Sequence, residues 1–356
     1  MNKILIVLFL IYIIIIFFLI RIITFKNKVF QFNDNFNNYN NTDTIMSPFD
    51  TLLNCKVSKT FYKANIILFS DFSLIDQNIN KIPFNRFKNY YVYGICGSDD
   101  MANKMKLANY LILSGNKDKI PKTYILEDDK DVLDLKNNHS NNSIYILKKN
   151  IQRQEGILIT RDISTIIEEK NNFIVAQELL QNPYLVNNRK INMRIYLLIT
   201  IKNNNINFYI YNNGFIYYSP KYWEEKSIDK DVNITTGYID RSVYETNPLT
   251  HFDLYNYIGN NNSSKLQKSI IDLFKNIKLT YEHVLLKQNK KSNIFYFNIF
   301  GCDIAPSNDL NVKIIEINKG PDLSFKSERD KYVKYNLVKD CLNLVNNNYN
   351  NNYIKL

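Results

Sequence analysis

The sequence predicts an α/β protein, and three observations carry that expectation. Short apolar runs at 65–70 (NIILFS) and 90–95 (YYVYGI) have the length and composition of buried strands, and a helical pattern follows the second. Strand and helix patterns then alternate from 144 to 178. After 190 the strand patterns become consecutive, which predicts antiparallel pairing beside the alternating part.

Taken in order, 99–113 carries Met105, Ala108, Leu111 and Ile112 at helical spacing. A strand at 144–148, a helical stretch at 164–170 and a strand at 173–178 continue the alternation. Strands at 191–201, 206–211 and 214–218 are separated by Asn203, Asn204 and Asn205 and by Asn212 and Asn213, so an antiparallel meander is expected. An amphipathic helix over 269–286 sets Ile270, Ile271, Phe274, Ile277 and Tyr281 on one face. Strands at 293–304 and 311–318 and a helix near 331–345 close the fold, and 346–352 is low-complexity. No internal repeat is present.

The chain has 356 residues, enough for about two domains. Its 26 Tyr and 22 Phe supply more apolar surface than a disordered chain carries, while only 9 Gly and 8 Pro exclude collagenous and proline-rich classes. About 55 asparagines match an AT-rich coding bias, which also raises Lys and so weakens the net charge of +11 as a sign of a nucleic-acid partner. The cations are interspersed with Asp and Glu, so no nucleic acid is expected. Cys55, Cys96, Cys302 and Cys341 are far apart and suit a reducing compartment.

Residues 4–20 form an unbroken apolar run followed by Arg21 with no small-residue cleavage site, which predicts an uncleaved membrane anchor over 1–24. Lys3 lies before the run and Arg21, Lys26 and Lys28 after it; the flanking charges favour a single-pass protein with its C-terminal bulk in the cytosol. Residues 25–60 lack either period and are expected to be an Asn-rich tether, with folded structure from 61.

Chemistry concentrates in the last strand pair. Asp303 ends one strand, and Glu316 and Asn318 sit at i and i+2 on the next, so alternation turns both to one face. Two carboxylates and an amide are hard oxygen donors suited to Mg²⁺, which keeps waters and takes nucleotide phosphates. The alternative is an acid at a strand end that is simply solvated. A second set is cationic: Lys148 closes YILK ahead of a polar loop with Arg153 and Gly156, and Lys190, Asn192 and Arg194 share one side of a later strand. Two cations on an Ile- and Leu-rich strand need an anion, unless the strand is an edge guarded by charge. His139, His251 and His283 lack partners at ligand spacing and are expected to be structural or exposed.

The ordered blocks YILK (145–148), EGI (155–157), AQELLQNPYL (176–185), RKINMRIY (189–196), FGCD (300–303) and IEIN (315–318) resemble the tubulin tyrosine ligase-like family across about 89–330. The resemblance implies an ATP-grasp fold: a small N-terminal α/β domain (61–98), a central subdomain (99–180), a C-terminal subdomain with the metal site (181–345) and a tail (346–356). It also implies ATP and Mg²⁺ as cofactors. Lys148 and Lys190 match lysines on the ATP phosphates, and Lys104 aligns with a further nucleotide-site lysine. Gln177, Glu178, Leu179 and Leu180 match the adenine hinge, and Asp303, Glu316 and Asn318 match the metal ligands. Arg194 matches the arginine near the reacting carboxylate, and Arg194 and Lys190 are the expected catalytic pair. Asn192, counted among the nucleotide contacts, replaces an Asp. Tyr217 stands where the family usually has a second arginine for the substrate carboxylate. Asn233 and Thr236 stand in for the His and Asn of a His-Leu-Thr-Asn motif, and the phosphate loop keeps only Gly156.

The implied reaction joins a free amino acid to a carboxylate of a protein or peptide acceptor, a tubulin-like acidic tail being one candidate, through an acyl phosphate. Positioning and electrostatics carry such chemistry, so no Ser-His-Asp arrangement is required. The competing expectation is a nucleotide-binding scaffold with little turnover, because the substrate-side residues have changed while the ATP-side residues remain.

Overall fold

The computed structural model describes residues 28–32, 56–57, 64–69, 75–140, 142–150, 156–325, 327–346 and 352–356. The first strands, β1 (Lys28–Phe32), β2 (Lys56–Val57) and β3 (Ile66–Phe69), run parallel, with β1 between the other two. Two of them fall inside the stretch expected to be a structureless tether. α1 (Ile75–Lys81) leads to β4 (Tyr90–Tyr93), parallel to β3.

The helix expected over 99–113 is two helices, α2 (Ser98–Ala102) and α3 (Lys104–Leu113). Asn103 between them is extended, and its side chain accepts from the Met105 and Lys106 N–H groups, both at 3.1 Å. An Asn that caps the following turn satisfies otherwise orphaned donors and restarts the helix. This restart makes Lys104 the first residue of α3.

β5 (Thr123–Ile125), α4 (Asp129–Asn138), β6 (Tyr145–Lys148), β7 (Ile157–Thr160), α5 (Ile163–Glu169) and β8 (Val175–Glu178) build a separate antiparallel sheet in the order β5-β8-β6-β7. Tyr124, Leu135, Tyr145, Leu147 and Ile166 form its own core. Of these elements β5, α4 and β7 were not expected. β5 spans three residues, and α4 buries only Val132 and Leu135 in an otherwise polar segment, so neither presents a readable period.

β9 (Leu185–Val186), β10 (Arg189–Lys202), β11 (Asn205–Tyr211) and β12 (Phe215–Tyr218) follow. Asn187 and Asn188 have φ of 46° and 60°, and Asn203 and Asn204 have 51° and 61°. Each pair makes a two-residue hairpin turn, where two successive left-handed residues match the twist of the strands. Some of the asparagines thus serve turn geometry as well as reflecting coding bias. The expected meander does not form. β11 pairs with Leu197–Lys202 of β10, and β12 returns to pair with Ile191–Arg194 of the same strand.

Four helices come next: α6 (Lys230–Asn233), α7 (Val243–Thr246), α8 (His251–Ile258) and the 29-residue α9 (Asn260–Gln288), longer than the expected 269–286. β13 (Ile294–Pro306) pairs antiparallel with β10 from Met193 to Ile201. Its other edge takes β4 in parallel at its start and β14 (Val312–Asn318) antiparallel at its end. β3 and β4, from the stretch expected to be a small N-terminal domain, therefore join the same sheet and the same core as the C-terminal strands. After α10 (Glu328–Val345), Tyr353–Lys355 forms β15 on the edge of β11, so the end of the expected low-complexity tail is an ordered strand.

The expected membrane placement is corrected. No helix among the described residues is long and apolar enough to cross a membrane. α9 has the length, but it carries Lys265, Lys268, Lys275, Lys278 and Lys287 and buries a single stripe including Leu266, Ile270, Phe274 and Ile277, the pattern of a helix lying on a sheet. Residues 4–20, on which the expectation rested, lie outside the described residues.

Candidate functional site

Strand register assembles one wall of the site. Asp303 on β13 lies opposite Arg194 on β10 and opposite Glu316 on β14. Arg194 has Phe215 of β12 on its other side, so four strands place Phe215, Arg194, Asp303 and Glu316 in one row. A bulge at Ile315 interrupts the pairing of β13 with β14. The extra residue lets Ile314 and Ile317 both enter the core while Ile315, Glu316 and Asn318 line the cavity.

That cavity measures about 520 Å³ and is lined from both sheets. Lys148 comes from β6, Gln177 and Glu178 from β8, and Leu179 and Leu180 from the segment after it. Lys190, Asn192 and Arg194 come from β10, Lys104 from the start of α3, and Asp303, Glu316 and Asn318 from β13 and β14. Every residue singled out for nucleotide, metal or catalysis therefore meets in one space, although they span more than 200 positions of chain.

Three lysines in it are almost fully buried, Lys148 at 7%, Lys190 at 4% and Lys334 at 6% exposure. The Lys148 ammonium donates to Gln177 Oε1 at 2.7 Å, and Gln177 Nε2 donates to Thr123 Oγ1 at 2.9 Å, which fixes the amide. Lys190 Nζ stands 5.7 Å from the centre of the Trp223 ring. Burial holds the Lys148 pKa down to about 8, with Glu316 opposing and Lys104 reinforcing. Burial and then the Lys148 charge hold Lys190 down to about 8. Buried positive charge of this kind is costly until an anion enters.

Asp303 accepts two hydrogen bonds from Arg194, from Nε at 2.6 Å and from Nη2 at 3.0 Å. Burial still pushes the Asp303 carboxyl up to about 6, with Arg194 opposing and Glu316 adding to the rise. Glu316 moves the other way. Burial raises it, but Lys104, the Asn318 amide, Lys148 and Arg194 together hold it below the usual range. Asn318 Nδ2 donates to Glu316 Oε1 at 3.1 Å. Gly301, beside this pair, is required by close approach: a Cβ there would lie 3.0 Å from Arg194 Nη1 and 2.9 Å from Pro321 Cβ.

Among the described residues no three His, Cys, Asp or Glu side chains are grouped to hold a metal. The donor set is two carboxylates and an amide, all hard oxygen ligands. It fits Mg²⁺, which is bound through one or two carboxylates plus phosphates and waters, and does not fit an all-protein cage. In the hinge, the Glu178 N–H donates to Lys122 O and the Leu179 N–H to Ile144 O, both at 2.8 Å, so these two donors serve the fold. The loop 151–155, with Arg153, lies outside the described residues, and Gly156 closes it through its carbonyl to Lys149 N–H at 3.0 Å.

Asn233 and Thr236 line the cavity, but Asn233 Nδ2 donates to Ser227 O and Asp229 O and so braces its own loop. Sequence reasoning missed Tyr238, Arg241, Asp322, Asp330 and Lys334, which also line the cavity. Arg241 pairs with Asp330 at 3.1 Å. The first three sit in irregular segments with no period to single them out, and the last two read as ordinary charges on α10. His251 is buried with its pKa lowered to about 3 by burial, and it packs beneath Gly214, so it is structural.

Comparison with known proteins points the same way. Residues 75–352 match the tubulin-tyrosine ligase family. The chain is similar to the tubulin polyglutamylase ttll-4 of Caenorhabditis briggsae, 25% identical over 248 residues, which is 63% of this chain and 40% of that protein. It is similar to a probable beta-tubulin polyglutamylase of Tetrahymena thermophila, 24% identical over 255 residues, 64% of this chain and 21% of the relative. Human tubulin polyglutamylase TTLL6 is 25% identical over 248 residues, 64% of this chain and 27% of the relative. The chain thus spans less than half the length of these relatives. Since the matched region contains the whole four-stranded sheet, β4 and β9 to β14 of the larger one, and every residue of the cavity wall described above, the chain belongs to the tubulin-tyrosine ligase family.

Proposed function

We propose that this protein is an ATP- and Mg²⁺-dependent carboxylate–amine ligase of ATP-grasp type that joins a free amino acid to a carboxylate on an acidic protein or peptide. One observation carries the reading. Two buried lysines with depressed pKa values share a cavity with the Asp303, Glu316 and Asn318 oxygens, a pairing of anion-seeking and cation-seeking groups that suits a metal-bound triphosphate. The polyglutamylase names of the relatives make an acidic acceptor, tubulin tails included, the first to test.

In this reading Lys148 and Lys190 hold the phosphates, with Lys104 beside them, and Gln177 keeps Lys148 aimed through its 2.7 Å bond. The hinge segment 177–180 receives the adenine, with Leu179 and Leu180 lining the cavity there. Asn192 lies between Lys190 and Arg194 on the cavity side. Asp303, Glu316 and Asn318 would hold Mg²⁺, which supplies charge neutralisation at the transferring phosphoryl group. Arg194, fixed by Asp303 through Nε and Nη2, keeps its Nη1 donors for the acceptor carboxylate or the phosphoryl oxygens. The acceptor carboxylate oxygen attacks the γ-phosphorus, the bond to the ADP oxygen breaks, and an acyl phosphate forms. The amine of the amino acid then attacks the acyl carbon, phosphate leaves, and one proton is lost as the amide forms.

The test is ADP release by the full-length chain with Mg-ATP, acidic acceptor peptides and a panel of amino acids, with peptide mass read in parallel. A mass gain of one amino-acid residue per ADP is the expected result. Tight nucleotide binding with no ADP release under any combination would instead identify a nucleotide-binding scaffold.

A further inference from the structure

The groups around Tyr217 differ from those around the lysines. Tyr217 lies opposite Asn192 in the β10–β12 pairing, and the Arg194 guanidinium stands 5.2 Å from its ring centre. Gly237 packs against the same ring, a Cβ there coming within 3.1 Å of Tyr217 Cε1. Arg241, Asp322, Asp330 and Lys334 complete this wall of the cavity. Lys334 is buried, donates to the Ser324 carbonyl and rests over the Phe215 ring at 5.6 Å.

With Asp303, the wall holds three carboxylates against the three cations Arg194, Arg241 and Lys334, so its formal charge is zero. Arg194 pairs with Asp303, and Arg241 with Asp330. Tyr217 adds a hydroxyl but no charge: burial raises its pKa to about 12, Arg194 opposes, and Asp303, Asp330 and Asp322 add to the rise.

We infer that this wall is the subsite for the amine donor, that it takes an α-amino acid whose side chain carries no charge, and that Tyr217 is the residue that sets this specificity. The inference rests on the ligase reading for its place in the reaction. A zwitterion brings one cation and one anion and leaves the balance at zero, its ammonium suited to Asp322 and Asp330 and its carboxylate to Arg241 and Lys334. A dicarboxylic amino acid adds a net negative charge next to three carboxylates, and desolvating an unpaired carboxylate there is strongly unfavourable. The Phe215, Tyr217 and Tyr244 rings offer an uncharged side chain apolar and hydroxyl contacts instead.

Equilibrium dialysis of radiolabelled glycine, serine, glutamate and aspartate against the full-length chain with Mg-ADP tests this without turnover, and ADP release with the same four tests it during turnover. Glycine or serine is expected to bind at least about tenfold more tightly than glutamate or aspartate. Tyr217→Arg supplies a cation and is expected to move the glutamate-to-glycine ratio toward glutamate by about tenfold or more. Tighter binding of glutamate by the unaltered protein, or binding of none of the four, overturns the subsite. Selective binding of glycine or serine with no ADP release sustains the subsite and overturns the ligase reading instead.

Discussion

Arg194 and Asp303 face each other across β10 and β13, with two parallel hydrogen bonds of 2.6 and 3.0 Å between guanidinium and carboxylate. The arginine that the resemblance assigns to a substrate carboxylate is thereby oriented by an acid assigned to the metal, so the cationic and metal halves of the site are held as one unit. The planar fork of arginine makes that pairing, and a lysine point charge cannot reproduce it. Arg194→Lys is expected to keep nucleotide binding within a few-fold while lowering kcat by about a hundredfold. Nucleotide titration and single-turnover ADP release on the same preparation separate the two effects. Full activity with lysine would remove Arg194 from the catalytic assignment.

Glu316→Gln keeps the shape of the side chain and removes one charge from the hard-oxygen set. Mg²⁺-dependent nucleotide affinity is expected to fall by about tenfold or more, whereas Glu168→Gln, on the exposed face of α5, leaves it unchanged. Equal affinities in the two variants, measured at fixed free Mg²⁺, would exclude Glu316 as a ligand.

The depressed pKa of Lys190 gives pH effects of opposite sign on stability and binding. Its pKa is about 8 in the folded chain and 10.5 for an unperturbed lysine, so the buried charge is destabilising below pH 8. As the pH rises from 8 toward 10.5 the native state loses its proton before the unfolded chain does, and stability contributed by this group increases. Phosphate binding needs the charged form, so nucleotide affinity falls over the same window. Lys190→Arg, which stays protonated, is expected to flatten the decline between pH 7.5 and 9.5 as followed by calorimetry; an equally steep decline would assign it to another group.

Gly214 is fixed by its neighbours. A Cβ at this position would lie 2.1 Å from the Arg194 carbonyl oxygen and 2.6 Å from His251 Cε1. Backbone cannot give way cheaply, so Gly214→Ala should destabilise the protein by about 3 kcal/mol or more. Denaturant midpoints compared with Gly259→Ala, where nothing lies within 4 Å of the added carbon, provide the check, with the qualification that φ of +77° costs Gly259→Ala some strain of its own.

Tyr353 makes the C-terminus part of the core. It is buried, its ring centre is 4.9 Å from that of Tyr211, and its hydroxyl donates to the Leu337 carbonyl at 3.1 Å. Tyr353→Ala is expected to cost about 3–5 kcal/mol in unfolding free energy, the range for truncating a large buried side chain. A loss below 1 kcal/mol would show that β15 contributes little.

The α/β class, most of the long strands and helices, and part of the cavity lining (Lys148, Lys190, Arg194, Asp303, Glu316 and Asn318 among it) were legible in the sequence alone. Alternation alone put Glu316 and Asn318 on one face and Lys190, Asn192 and Arg194 on another, because side-chain direction within one strand is a local property. Tertiary structure decided what those faces meet. The return of β12 to β10, the bulge at Ile315, the Arg194–Asp303 pairing across 109 positions and the seating of β15 on β11 all depend on which segments share edges and bury surface together. The Asn103 cap that begins α3 at Lys104 was local, but it competed with a helical pattern running through it, and a side chain satisfying two backbone donors won. The mixed charges around Tyr217 were not readable at all, since Arg241, Asp322, Asp330 and Lys334 come from segments whose own patterns are those of loops or a solvated helix. Local periodicity tells a side chain which way to point, and only long-range packing tells it which charges it will face there.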